Sequence, residues 1–447
     1  AITGSSTIVG STINGVGIKA DITNFANSIL ISNDAATGTL STATNNTGLG
    51  HNVFESITSA DENVAVGSQA LKATTSGGGN IAIGKDSLIA NTTGNTNIAI
   101  GTDAMTTNVA GDRNVAVGEQ ALQNMNPSGN VDTYNVGIGY NAGLSITTGT
   151  ANAFIGGRAG DATTTGSTNT AVGTDALSSN TTASNNVAVG YDCLVSNTSG
   201  TQNTAVGAGA LDANTTAANN SAFGYNALGA NTTGANNVGI GQFSLDANTT
   251  GDANTALGHN ALTGNTTASK NTAVGKDALA VNTTGTENVA VGEVALDANT
   301  TGNYNTAVGR HALSSNTTAS SNTAVGRNAL GDNTGATNTA VGTDALGSNS
   351  TASDNTAVGR KALFSNTTGT SNVAVGETAM LLNVSGNQNT AVGRESLSAN
   401  TASDNTAIGR RALKANTSAS NNTAVGASAG TALTTGAANV AIGTNAL

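Results

Sequence analysis

The clearest pattern in this chain is an alternation of apolar and polar positions that returns every 17 residues. The phrase Asn-Thr-Ala-Val-Gly, or a close variant, ends at a glycine 24 times between Gly50 and Gly443, and 20 of the 23 intervals between these glycines are 17 residues long. With that glycine numbered zero, position −4 is always Asn and position −1 is always Val, Ile, Leu or Phe. So strict a period predicts one structural unit stacked on itself, not several globular domains.

Positions −3 to −1 predict a short strand in every repeat. Position −3 is mostly Thr, Val or Ile, and β-branched residues favour strands. Since strand side chains alternate between faces, we expect −3 and −1 to share the interior face. A second half-coil carries Leu at +4 and Thr at +9, which we also expect inside. The predicted fold is all-β: a parallel β-solenoid (β-roll) of about 24 coils.

Position −2 points away from −1 and is Ala or Gly in every repeat except one. An outward row of such small residues implies a neighbouring backbone close against it. Identical chains around a symmetry axis would supply that neighbour, and a turn of the same chain folding back over the row is the alternative. On the first interpretation the candidate subunit interface includes Ala65, Ala116, Phe154 (the exception), Ala205, Ala273 and Ala340.

The remaining fixed positions predict corners. The zero-position glycine and the Gly or Ala at +10 suit tight turns. Asn at −4 and +7 suits corners because Asn tolerates left-handed conformations, and its amide can bond to the Asn of the next coil. Charged residues do not occur at any of these positions, so we expect them on solvent-exposed corners. Among them, Lys276, Glu293 and Arg310 should form one axial ladder.

Three repeats replace the Leu at +4 with Gly143, Gly160 or Gly430. Position +7 changes in the same repeats from Asn to Ile146, Thr163 or Leu433. The coupling predicts that +4 and +7 are neighbours and that the +7 side chain fills the space.

The composition changes this picture in two respects. Aromatic residues are 2% and charged residues 9% of the chain, which alone would suggest disorder. The period overrules that, and indicates a thin core of small side chains. The net charge of −11 argues against nucleic acid or an anionic membrane as the main partner. Residues 1–45 repeat poorly and are predicted to be a cap or junction segment, while residues 46–447 form the solenoid shaft.

The phrase Ala-Val-Gly-x-x-Ala, seen as Ala188-Val189-Gly190-Tyr191-Asp192-Cys193 with Cys for the last Ala, resembles the head repeats of YadA-like trimeric autotransporter adhesins. The longer phrase Asn-Thr-Ala-Val-Gly-x-x-Ala-Leu-x-x-Asn-Thr-Thr-Gly looks similar to repeats of bacteriophage tail fibres. The resemblance covers about residues 46–447. It implies a left-handed roll, packing as a homotrimer, and a place outside the cell or on a virion.

Catalysis needs unlike groups that converge in a cleft, whereas this sequence spreads like groups along a line. We therefore predict no enzyme activity, no cofactor and no metal site. Since no apolar run approaches the ~20 residues of a membrane span, we also predict no membrane insertion. The leading function is a structural and adhesive fibre that attaches many times over to host or surface glycans, with 24 coils at about 4.8 Å giving a shaft of ~115 Å. An ice-binding solenoid is the alternative. Candidate ligand contacts are the outward aromatics Tyr140, Tyr191, Tyr225, Phe243 and Tyr304.

Overall fold

The computed structural model of the protein is a stack of parallel β-coils. It describes residues 11–13, 16–22, 24–32 and 37–447, and this part of the chain contains strands and turns but no α-helix. The chain divides into two compact units, Ala1–Asn220 and Ser221–Leu447. The all-β parallel solenoid with a 17-residue repeat is confirmed.

The first unit begins with antiparallel strands and continues as ten coils. Strand β1 pairs antiparallel with β2, and β2 with β3. Strand β3 then pairs parallel with β5, Ile29 lying beside Thr47, so it covers the edge of the first coil. The part of the predicted terminal segment before Ser11 lies outside the described residues, and the boundary at residue 45 stays a prediction. The strands of this unit are β1 (Ser11–Ile13), β2 (Val16–Ile22), β3 (Phe25–Ser32), β4 (Ala43–Thr44), β5 (Thr47–Leu49), β6 (Val64–Val66), β7 (Ile81–Ile83), β8 (Ile98–Ile100), β9 (Gly111–Asp112), β10 (Val115–Val117), β11 (Val131–Asp132), β12 (Val136–Ile138), β13 (Ala153–Ile155), β14 (Thr170–Val172), β15 (Val187–Val189) and β16 (Thr204–Val206).

The second unit contains 14 coils, each with one three-residue strand at positions −3 to −1. Neighbouring strands pair parallel with like position beside like, so Thr272, Ala273 and Val274 lie beside Val289, Ala290 and Val291. The strands are β17 (Ser221–Phe223), β18 (Val238–Ile240), β19 (Thr255–Leu257), β20 (Thr272–Val274), β21 (Val289–Val291), β22 (Thr306–Val308), β23 (Thr323–Val325), β24 (Thr339–Val341), β25 (Thr356–Val358), β26 (Val373–Val375), β27 (Thr390–Val392), β28 (Thr406–Ile408), β29 (Thr423–Val425) and β30 (Val440–Ile442).

The prediction of which strand face points inward is wrong. The alanine at −2 is the buried residue, and the side chains at −3 and −1 point out of the coil and are partly exposed. The six candidate interface residues at −2 are therefore enclosed by their own chain and cannot contact a sister chain. All of them have 0% exposure: Ala65, Ala116, Phe154, Ala205, Ala273 and Ala340.

The core of a coil is thin because small residues face each other across it. In the coil of Gly292, the buried side chains are Ala290 at −2, Ala295 at +3 and Leu296 at +4. The predicted inward position of Leu at +4 is confirmed. Thr301 at +9 is exposed, so the prediction that this position fills the interior is wrong. Two half-coils joined by tight turns leave room for methyl groups at −2, whereas Val would overfill the gap.

Two columns of buried asparagines hold the corners of the coils. Asn288 at −4 donates its backbone N–H to Oδ1 of Asn271 one coil earlier, at 3.0 Å. Its Nδ2 donates to the carbonyl of Gly302, at 2.8 Å, and Nδ2 of Asn299 at +7 donates to the same carbonyl at 3.0 Å. Nδ2 of Asn299 also reaches Oδ1 of Asn282, at 2.9 Å. The predicted Asn ladder is confirmed.

The left-handed backbone lies elsewhere than predicted. Besides the zero-position glycine, positive φ recurs at −5, +2 and +4, as at Glu287 (57°), Val294 (50°) and Leu296 (54°), and the ladder asparagines Asn288 and Asn299 are not among these residues. A bulky residue with positive φ is strained. Glycine at +4 in three coils relieves this strain and also removes a side chain.

That lost side chain explains the exceptional Phe154. A Cβ added at Gly143 would lie 2.8 Å from Cδ2 of Phe154, and one added at Gly160 would lie 2.5 Å from its Cε1. The phenyl ring therefore fills the space left by two missing leucines. At Gly430 the nearest +7 atom is Cδ1 of Leu433, 3.2 Å from the added Cβ, so the predicted filling from +7 is confirmed there.

The zero-position glycine cannot be replaced without moving the next coil, and Gly275 provides a direct test. Its φ is +134°, and an added Cβ would lie 2.6 Å from both the carbonyl carbon and oxygen of Gly292. We expect Gly275→Ala to lower the free energy of unfolding by about 2–4 kcal/mol. Thermal and denaturant unfolding measure this. Gly157→Ala is the control, because nothing lies within 4 Å of its added Cβ; equal stability of the two variants would contradict the close stacking.

Cys193 at +3 gives a pH-dependent prediction. Its side chain is fully buried, Sγ donates to the carbonyl of Ala205 at 3.2 Å, and burial raises the pKa of the thiol to about 12 from 9.0. The unfolded chain therefore loses this proton first as the pH rises. The contribution of the neutral thiol is complete below pH 9 and is lost between pH 9 and 12, by up to roughly 4 kcal/mol.

Unfolding measured from pH 8 to 11 should show a steeper fall in stability for the wild type than for Cys193→Ala. Alanine is the usual residue at +3, as at Ala210, so the variant keeps the packing and removes only the titrating group. Parallel pH profiles for the two proteins would contradict the buried thiol.

Candidate functional site

A strip of outward side chains at −3 and −1 runs along the strands of each unit; position −1 is always apolar, whereas −3 is Thr or Ser in 10 of the 14 coils of the second unit. We call this strip the strand face. Among its residues, Ile83 is 39% exposed in the first unit, and Val325 and Val358 are each 37% exposed in the second. Soluble monomers rarely leave contiguous apolar patches of more than a few hundred Å² in water. Because the apolar row at −1 is continuous within each unit, the strand face exposes more apolar surface to water than is usual for a single soluble chain.

The candidate aromatic residues lie on corners, and the structure brings only two of them together. Tyr225 at +1 and Phe243 at +2 of the next coil meet edge to face, with ring centroids 5.5 Å apart. Tyr140, Tyr191 and Tyr304 are each more than half exposed and stand apart from other aromatic rings. We call the pair of Tyr225 and Phe243 rings the aromatic platform.

Tyr191 stands in a charged environment. Asp192 beside it raises the pKa of the phenol, both by its charge and by a hydrogen bond. Arg158 binds Asp175 one coil away with two guanidinium nitrogens. Charged pairs of this kind link neighbouring coils at the +2 corner, and each contributes about 0–1 kcal/mol.

A second group of corner residues was missed by the sequence reasoning. Eight basic residues lie between Arg310 and Lys414, seven of them at positions +1 or +2 and Lys414 at +5. We call this group the basic ridge; its residues are Arg310, Arg327, Arg360, Lys361, Arg394, Arg410, Arg411 and Lys414. The clustering of arginine at one phase of the repeat was the available signal.

The carboxylates that pair with the ridge are less exposed than its cations, and Glu395 is the clearest case. Glu395 is 15% exposed and accepts contacts from Arg394 at 3.1 Å, Arg411 at 3.0 Å and Lys414 at 2.6 Å. The hydrogen bond from Lys414 is the largest cause that lowers the pKa of Glu395 to about 2. Three cations on one sunken carboxylate leave positive charge at the surface. The predicted axial ladder is present in part: Arg310 binds Glu293 at 3.0 Å, whereas Lys276 binds Asp277 at 3.4 Å.

The irregular repeats place their extra or missing residues in turns. Two intervals between zero-position glycines are 16 residues long and one is 21. In the first 16-residue repeat, Nδ2 of Asn322 donates to the carbonyl of Gly335 at 2.9 Å, and the next strands keep register, Val325 beside Val341. In the 21-residue repeat, Met125 is buried and Tyr134 is exposed, with Arg113 stacked 5.8 Å from its ring. This excursion is a surface loop.

Among the described residues, no group of three or more His, Cys, Asp and Glu side chains is close enough to hold a metal ion. In the same part of the chain, no helix has the length and apolar character needed to cross a membrane. The Asn-x-Ser/Thr sequences at +7, such as Asn91 and Asn214, have buried asparagines, so the ladder points inward and the folded chain offers no glycan acceptor at these two sites.

No model of a known protein family matches this sequence, and no curated protein matches it either. The assignment of a function therefore depends on the coils and their surfaces.

Proposed function

We propose that this protein is the repeat region of a structural and adhesive fibre, in which identical chains associate through their strand faces and the corners contact surface glycans. The observation that carries the proposal is the row of half-exposed Val, Ile and Leu side chains at −1 on each unit. Burying such a row stabilises association by about 25 cal/mol per Å² of apolar surface. The resemblance to YadA-like heads adds the expectations of three chains and a left-handed roll.

The regular strand face supports association between identical chains. The outward phrase Thr-x-Val repeats with little change in the second unit, as at Thr323 with Val325 and Thr356 with Val358. A closed symmetric assembly presents the same patch from every chain, so a uniform row can pack along its full length. Variable residues would instead be expected where each coil met a different partner surface.

The corners support attachment. Positions +1 and +2 vary widely between repeats and carry Tyr140, Tyr191, Tyr225 and Phe243, while Tyr304 lies at −5. Weak contacts of single aromatic residues with sugars become firm attachment when several chains present them together. Such a fibre works outside the cell or on a virion, and catalysis has no part in it.

Ice binding is the second candidate, and one observation favours it. Both outward residues of Thr-x-Val lie on the same face, about 6.8 Å apart along the strand and about 4.8 Å apart between coils, which makes a regular array. Bulkier residues at −1, such as Phe223 and Leu257, interrupt its flatness. Thermal hysteresis by a monomeric chain would support this candidate, and its absence together with an oligomeric mass would exclude it.

The strand face is tested by Val325→Glu combined with Val358→Glu. We expect the wild type to sediment with three times the 43.2 kDa chain mass and the double variant to sediment as a folded monomer. The variant keeps its fold because both side chains are 37% exposed in the single chain, whereas charges buried between chains repel one another. Analytical ultracentrifugation and circular dichroism measure the two properties.

The control places the same two charges on a corner. Thr343→Glu with Ala427→Glu changes position +1, where the chain already carries Glu293 and Glu377. This variant should remain oligomeric. A monomeric wild type, or a Val325/Val358 variant with the wild-type mass, would refute association through the strand face.

The aromatic platform is tested by Tyr225→Ser combined with Phe243→Ser. Loss of both rings removes the stacking surface, so we expect retention on an array of cell-surface glycans to fall at least about tenfold through avidity. Tyr134→Ser, which removes an equally exposed ring outside the platform, is the control. Unchanged retention by the double variant would exclude this pair as a contact.

A further inference from the structure

The charge of the chain is not evenly distributed. Residues 310–414 contain eight of the 15 basic residues and six of the 26 acidic residues, a net charge of +2 in a chain of net charge −11. The acidic residues Asp354 and Asp404 of this stretch lie at −5, at the far end of the strand from positions +1 and +2. The +1 and +2 corner is therefore locally basic on an acidic protein.

The arginines of the basic ridge are also more exposed than the carboxylates that pair with them. The side chains of Arg327, Arg360 and Arg394 are 57–60% exposed. Their carboxylate partners are less exposed: Asp344 and Glu395 are 15% exposed, and Glu377, which contacts both Arg360 and Arg394, is 38% exposed. Sunken carboxylates position the guanidinium groups and leave their outer donors free for solvent. In the described part of the chain, Arg410 has no ion-pair partner, and it lies next to Arg411.

We propose that the basic ridge binds a linear anionic glycan through its sulfate or phosphate ester groups. Arginine forks bind such tetrahedral anions with two parallel hydrogen bonds. Arg394 and Arg410 occupy position +1 of adjacent coils, so their backbones are about one strand spacing, ~4.8 Å, apart. A polymer that follows the corner meets cations at +1 or +2 on the coils of Gly309, Gly326, Gly359, Gly393 and Gly409, so several of its charged groups are bound at once.

The chemistry of the ridge favours a glycan over a nucleic acid. Proteins that bind single strands combine cations with aromatic rings on which bases stack. Residues 310–414 contain one aromatic residue, Phe364, and Lys361 lies 5.4 Å from the centre of its ring. A ridge of cations without an open ring binds the charged groups and not the bases.

This inference rests on the proposed function only in taking the glycan from a cell surface. The test uses the full chain, with heparin as the sulfated probe and a phosphorylated mannan as the phosphate-ester probe. Uncharged dextran and single-stranded DNA complete the set of probes. Affinity is measured by calorimetry at two salt concentrations.

We expect Arg394→Gln combined with Arg410→Gln and Arg411→Gln to weaken binding of the charged glycan at least about tenfold, and high salt to abolish binding by the wild type. The chain already carries Gln242 at +1 and Gln120 at +2, so these substitutions fit the coil. The control removes three charges elsewhere, by Arg113→Gln, Arg158→Gln and Lys270→Gln, and should bind within about threefold of the wild type.

Equal weakening by both triple variants would overturn the ridge as the site, and so would wild-type binding of dextran as tight as that of the charged glycans. Binding of DNA tighter than either charged glycan would overturn the glycan assignment. The outcome is separable from the fibre proposal. If the chain is oligomeric but fails to bind the probes, only the glycan site on the basic ridge is refuted. If it is monomeric and binds them, only the fibre proposal is refuted.

Discussion

The structure depends on one constraint: within each unit, every coil lies one strand spacing from the next at nearly every position of the repeat. The backbone N–H of Gly275 donates to the carbonyl of Leu257 at 2.8 Å, and that of Thr272 donates to Asn288 at 2.8 Å. Turns join this ladder as well as strands. Since the backbones approach so closely, a side chain that projects along the stacking direction has no room, and this accounts for the glycine at position zero.

The same constraint selects the buried asparagines. A corner of a coil leaves backbone groups that no strand partner satisfies, and a buried unsatisfied group costs about 1–3 kcal/mol. The Oδ1 of Asn288 accepts the backbone N–H of Asn305 in the next coil at 2.9 Å, and its Nδ2 donates to the carbonyl of Gly302 at 2.8 Å. A carboxylate has no donor, and a hydroxyl has one oxygen for both bonds, which explains why this position does not vary.

Much of this architecture could be predicted from the sequence, because the period, the strand positions and the Asn ladder each depend on residues that recur in every repeat. The face of the strand that points inward could not be predicted. Alternation indicates that −2 opposes −1, but not which of them is inside, and the usual rule that larger apolar side chains are buried gives the wrong answer in a coil this thin. The matching alanine at +3, as at Ala295, was the signal: two rows of methyl groups pack across a narrow gap, and branched side chains do not fit between them.

The burial of alanine at −2, in place of the residues at −3 and −1, determines how the surfaces of each coil differ from one another. With alanine inside, the strand face is regular, with an apolar residue always at −1, and the corners at +1 and +2 are where residues change without disturbing the stack. Variation at the corners does little to stability because these side chains meet only solvent and the neighbouring corner. Register places whatever occupies a corner at a fixed spacing from its neighbours, so the side chains of Arg394 and Arg410, or of Tyr225 and Phe243, stand in a row. A fold whose interior admits almost no change thus leaves one regular face and one variable edge, which are the surfaces that the proposed association and recognition require.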